Sequence, residues 1–90
     1  MSELDGAMLE ELSLRSRLNA LVHERAEALR EAEKLRGRSS RPDAEASLAE
    51  TAERWDAVAE RVSGEIDEQR RRLREQEAVV ARLRADAAGA

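Results

Sequence analysis

The sequence predicts an all-α fold: an antiparallel hairpin of two long helices, packed as a coiled coil and pairing with a second copy into a four-helix bundle. Three observations predict it. Ala, Glu, Arg and Leu dominate a 90-residue chain that lacks Phe and Tyr and has Trp55 as its sole aromatic residue, the composition of long helices. Pro42 is the only proline, so two long stretches run uninterrupted on either side of it. Apolar residues recur along both stretches at the 4,3 spacing that holds one face of a helix against a partner. The few Val, Ile and Thr residues, without flanking turn signals, exclude a sheet.

Helix 1 is expected over about residues 3–36. Ser2 with Asp5 three positions on is a capping-box spacing, in which the two side chains satisfy the first unpaired backbone amides. Gly37 is the expected stop, because glycine closes a helix in the left-handed conformation at no steric cost. The loop would then be residues 37–40. Helix 2 would run from about residue 41 to 87, with Ser40 and Asp43 repeating the cap spacing and Pro42 in the first turn. The whole chain, 1–90, reads as a single hairpin.

The seam of helix 2 is Leu48, Ala52, Trp55, Ala59, Val62, Ile66, Gln69, Leu73, Gln76, Val80, Leu83 and Ala87, of which only the two glutamines are polar. Helix 1 keeps the same repeat from Leu4 and Ala7 through Leu14, Leu18 and Leu21 to Leu35. Met8, Val22 and Leu29 widen it, one position past alternate seam residues, and a stripe of that width suits a bundle.

A turn centred on Arg38 and Ser39 makes facing residues sum to roughly 80. That register pairs Leu14 with Ile66, Leu18 with Val62, Leu21 with Ala59 and Ala28 with Ala52. It lays Arg25 on the Trp55 indole, sets Glu11 beside Gln69, and leaves Val79, Val80 and Leu83 exposed on an overhang beyond the start of helix 1. The expected partner interface is therefore Met8, Val22, Leu29, Val79, Val80 and Leu83.

Composition also limits the chemistry. Without cysteine there is no disulfide, thiol nucleophile or thiolate metal site, and His23, the lone histidine, falls on the outer face of helix 1 as a solvated residue. The serines lie in no nucleophile elbow, and no glycine-rich loop could cradle a phosphate. Carboxylates such as Glu11, Glu50, Asp67 and Glu68 stand four residues before an arginine, in the orientation that stabilises a helix. Catalytic, cofactor and metal sites are accordingly not expected.

No apolar run approaches the roughly 20 residues of a membrane span, and residues 1–6 carry two acids where a signal peptide is basic and then apolar, so the expected setting is the cytoplasm. Fifteen of the sixteen cationic side chains are arginine, which points to GC-rich coding and a bacterial source.

Two arginine clusters are candidate anion contacts: Arg38 and Arg41 at the hairpin tip, and Arg70, Arg71 and Arg72 on helix 2. They support an alternative function, a small anti-activator-like regulator whose arginines hold a nucleotide or nucleic acid. The net charge of −4 weighs against it, since a chain that lives on phosphate contacts is ordinarily basic. In outline the hairpin resembles the small helical-hairpin substrates of type VII secretion. Those carry Trp-x-Gly at the turn and a tyrosine-containing signal after helix 2, whereas here Trp55 is followed by Asp56-Ala57 and tyrosine is absent. The leading expectation is a non-enzymatic protein-protein interaction module, structural or regulatory, that binds itself or another protein.

Overall fold

A computed structural model describes residues 2–43 and 45–89. Two helices account for nearly all of them: α1, Glu3–Ser39, and α2, Ala46–Gly89, packed against each other along a rod 72 Å long and 17 Å by 14 Å across. The capping box opens α1. The Ser2 hydroxyl accepts from the Asp5 amide at 3.2 Å, and the Asp5 carboxylate accepts from the Ser2 amide at 3.3 Å.

Helix α1 does not stop at Gly37. That residue has no positive φ and lies inside the helix, which continues to Ser39. The last carbonyls are satisfied by serine instead of a glycine turn: the Ser39 hydroxyl donates to the Arg36 carbonyl at 3.0 Å and the Ser40 hydroxyl to that of Gly37 at 2.9 Å. The chain then meets Pro42, which disfavours helical geometry at Arg41.

With Ser40 spent on α1, the expected cap for α2 at residue 41 does not form. Helix α2 begins at Ala46, preceded by a turn in which the Leu48 amide donates to the Glu45 carbonyl at 3.1 Å and the Ser47 hydroxyl to the Glu45 carboxylate at 3.4 Å. The connection is thus residues 40–45 and not 37–40.

Moving the turn moves the register. Midway between Ser39 and Ala46, it makes facing residues sum to about 85 in place of 80. The side-chain amide of Gln69 donates to the Leu14 carbonyl at 3.3 Å and that of Gln76 to the Ala7 carbonyl at 2.9 Å, pairs consistent with antiparallel helices and the later turn. Leu21 packs with Val62 and Ile66, with Leu18, Val22 and Val58 around them. Gln69 spends its side-chain amide on the α1 backbone, at the Leu14 carbonyl.

The buried residues are those of the seam: Leu21, Ala28 and Ala32 from α1, and Ala52, Ala59, Val62, Ile66, Gln69, Leu73 and Val80 from α2. Ile66 and Val62 are the largest that are fully enclosed, and toward the tip the core narrows to alanines. Gln69 is the one buried polar residue among those described, and its carbonyl partner explains why it is tolerated there.

Candidate interaction face

The cross-helix contacts of one flank fix where its side chains lie. Arg15 reaches Glu77 at 4.0 Å, Arg36 pairs with Asp56, and the Arg84 guanidinium donates to the Met8 sulfur at 3.9 Å. Met8, Arg15 and Arg36 belong to one row of α1, spaced by multiples of seven, and the other members of that row are Val22 and Leu29. Leu29 opens onto a groove shared with Asp56, Glu60, Ser63 and Asp67 of α2. The three α1 residues expected at an interface therefore share a flank. Met8 and Val22 are half-buried and Leu29 is 49% exposed.

The three expected on α2 fare differently. Val80 is only 2% exposed, because the later turn brings the start of α1 alongside it, and the overhang on which it was to stand is reduced to the last residues past Arg84. Val79 and Leu83 are half-buried. Val80 belongs to the hairpin's own core.

Sequence reasoning passed over two leucines. Leu9 and Leu12 of α1 are 54% and 60% exposed, more than Leu29. Leu12 had a signal: the row one position past every seam residue, not only alternate ones, runs Asp5, Met8, Leu12, Arg15, Asn19, Val22, Ala26, Leu29, Glu33, Arg36, with its apolar members between Met8 and Leu29. That is a second 4,3 repeat beside the first. Leu9, next to it in the chain, follows neither repeat.

Trp55 and Arg25 do not stack. Trp55, 36% exposed, lines a groove with Ala28, Val58 and Lys34, whereas Arg25 lines the groove of Leu29 and Asp56. The shift of register separates them.

The arginine clusters are largely engaged with acids. Arg71 donates through Nε to Glu68 at 2.9 Å and pairs also with Glu75, and Arg72 Nε donates to the same Glu68 at 3.3 Å. Those bonds, that of Arg71 first, hold the Glu68 carboxyl at about 2, well below its ordinary 4.5, and raise Arg71 in return. Of the expected helix pairs, Glu11 with Arg15 (3.3 Å) and Glu68 with Arg72 form, while Arg71 turns to Glu68 and Glu75 instead of Asp67. At the tip, Arg38 and Arg41 share their concavity with Asp43 and Glu45. Neither cluster presents an unopposed bank of guanidinium groups.

Among the described residues, no three His, Cys, Asp or Glu side chains are placed to hold a metal ion, and no helix is long and apolar enough to cross a membrane. His23 is exposed on α1 beside Asn19, Ala20 and Val22. The chain matches no protein-family model, no curated protein and no solved structure.

Proposed function

We propose that this chain is a non-enzymatic protein-protein interaction module: a coiled-coil hairpin, structural or regulatory, that works in the cytoplasm by associating with a second copy of itself or by docking another helical protein. The observation that carries this reading is the second apolar row of α1. Leu12 and Leu29 stand about half exposed along a rod whose own core is already closed by the seam. An apolar row maintained at helical spacing outside the core is what a further helix would cover.

The alternative, an arginine-held nucleotide or nucleic acid, draws less support, because Arg71 and Arg72 are occupied by Glu68 and Glu75, which leaves Arg70 alone of that cluster without an ion pair among the described residues, and Arg38 and Arg41 share their concavity with Asp43 and Glu45.

Light scattering over a wide concentration range tests the reading. The expected mass rises above the 10.1 kDa of one chain toward twice that value. A mass fixed at one chain would confine the module to a different partner. If in addition Leu12→Glu with Leu29→Glu left the protein's behaviour in its host unchanged, the interaction reading would be refuted.

A further inference from the structure

We propose that two copies pack face to face and antiparallel across the Met8-to-Leu29 flank, about a two-fold axis passing by Asn19 on α1 and between Asp67 and Arg70 on α2. This rests on the interaction reading and names its occupant, a second copy, together with its orientation.

The row on α1 is a palindrome of chemistry. Inverted about Asn19, and to within one residue, Met8 meets Leu29 of the second copy, Leu12 meets Ala26 and Arg15 meets Val22, while at the row's ends Asp5 meets Glu33. Inside that outer pair, apolar residues cover apolar residues toward both ends. At the centre Asn19 meets Asn19, and a carboxamide carries both donor and acceptor for its own mate. A single asparagine layer in a helix pair fixes register. Arg15, the one charge between Met8 and Leu29 in the row, already has Glu11 at 3.3 Å and Glu77 at 4.0 Å.

The α2 side of the same flank is divided by sign. Asp56 and Glu77 locate its inner row, with Ser63, Arg70 and Arg84 at the same seven-residue spacing; the row just outside holds Glu53, Glu60, Asp67 and Arg74. Up to Asp67 every charge in these two rows is acidic. From Arg70 onward every charge but Glu77 is basic. Inversion about the Asp67/Arg70 midpoint sets Asp67 against Arg70, Glu53 against Arg84 and Ser63 against Arg74. It also sets Glu60 against Glu77, the one like-charged meeting on α2, where Glu77 lies 4.0 Å from Arg15. Asp67, Arg70 and Arg74 make no ion pair among the described residues, so their charges are available.

Two features with no sequence relation thus place the axis within about one helical turn of each other. Leu18 packs on the Val62–Ile66 cluster and Gln69 bonds the Leu14 carbonyl, so Asn19 and the Asp67/Arg70 boundary lie at nearly one level of the rod. Placing both hairpin tips at the same end would instead stack the apolar α1 row on the charged α2 row.

The chain has no cysteine, so single thiols report the geometry without interference. With a short bis-maleimide crosslinker, Asn19→Cys should give a covalent dimer and Ser40→Cys, at the tip, should not. As a second measurement, Asp67→Arg should raise the dimer dissociation constant by on the order of tenfold, since it breaks two symmetry-related pairs, and adding Arg70→Asp should restore it. Crosslinking at Ser40→Cys without Asn19→Cys overturns the antiparallel arrangement while self-association stands. A monomeric wild type overturns the two-fold dimer and leaves docking on another protein to its own test. A charge swap that fails to rescue overturns the assigned α2 contacts.

Discussion

Ile66→Ala is the most direct probe of whether the seam holds the hairpin together. Ile66 is fully buried and packs with Leu21 and Val62, the cluster that contains the largest fully enclosed side chains among the described residues. Truncating a buried isoleucine to alanine costs about 2–5 kcal/mol, the spread reflecting how far the site can collapse around the void. Here the neighbours Leu18, Val22 and Val58 are only partly buried and can close inward, which places the cost near the lower end, about 2–3 kcal/mol. A domain of this size has roughly 5–13 kcal/mol in all, so the variant should remain helical at room temperature but unfold at clearly lower urea. Urea titration followed by far-ultraviolet circular dichroism, fitted with a common slope, measures the difference. The control is Leu12→Ala at 60% exposure, expected within about 0.5 kcal/mol of wild type when the protein is dilute enough to be monomeric. A cost below about 1 kcal/mol for Ile66→Ala, or an equal cost for the two variants, would refute the assignment of the core to this face.

Three further outcomes are expected. Gly37→Ala should stabilise the chain by about 0.5–1 kcal/mol, because Gly37 is helical and a Cβ there meets nothing within 4 Å; a left-handed glycine cap would give the opposite sign in a thermal melt. Gln69→Leu should be neutral or mildly stabilising by urea titration: the lost hydrogen bond is worth about 1 kcal/mol, the Leu14 carbonyl keeps its helical partner, and leucine of similar volume fills an apolar site, whereas Gln69→Glu should destabilise by burying a charge. Glu68 has its carboxyl lowered from 4.5 to about 2 by Arg71 and then Arg72, so its contribution is complete above pH 4.5 and disappears as pH falls toward about 2. A carbon-detected NMR titration of its carboxyl should find the low midpoint, and Arg71→Ala should raise it toward 4.5.

The seam was legible because it is repeated. Each of the ten buried residues occupies a position that the 4,3 spacing assigns to it, and errors at single residues average out over so many turns. The turn had no such redundancy. Gly37 carries a stop signal, but so do Pro42 and the serines between them, and which one ends the helix depends on which carbonyls find donors. Ser39 and Ser40 supplied those donors three residues later than the glycine rule anticipates. That small displacement then propagated along the rod. It shifted the facing positions along the seam, moved Arg25 away from Trp55, and drew Val80 from an exposed overhang into the core. For the same reason the α1 part of the interface expectation, which depends on helical spacing alone, lies on one flank, while the α2 part, which depended on the register, was dispersed.

The distribution of side-chain size along the rod ties this architecture to the proposed assembly. Toward the tip the core is built from Ala28, Ala32, Ala52 and Ala59, which bring the helices together but bury little area, and Trp55 stays partly exposed beside them. Toward the open end Gln69 and Gln76 spend seam positions on α1 carbonyls. The large apolar contacts are gathered at mid-rod, around Leu21, Val62 and Ile66. Both ends of the hairpin therefore bury less hydrophobic area than the centre, alanines at the tip and Leu73 and Val80 on either side of Gln76 at the open end, so stability can be added there from outside the seam. Covering Met8 and Leu12 near one end with Ala26 and Leu29 near the other does that for both ends of both copies, since antiparallel packing sets the open end of each hairpin on the stretch of its mate that leads to the tip. Association of this kind would strengthen the thin ends more than the centre, so backbone hydrogen exchange should slow with rising protein concentration most at the two ends of the rod and least around Ile66.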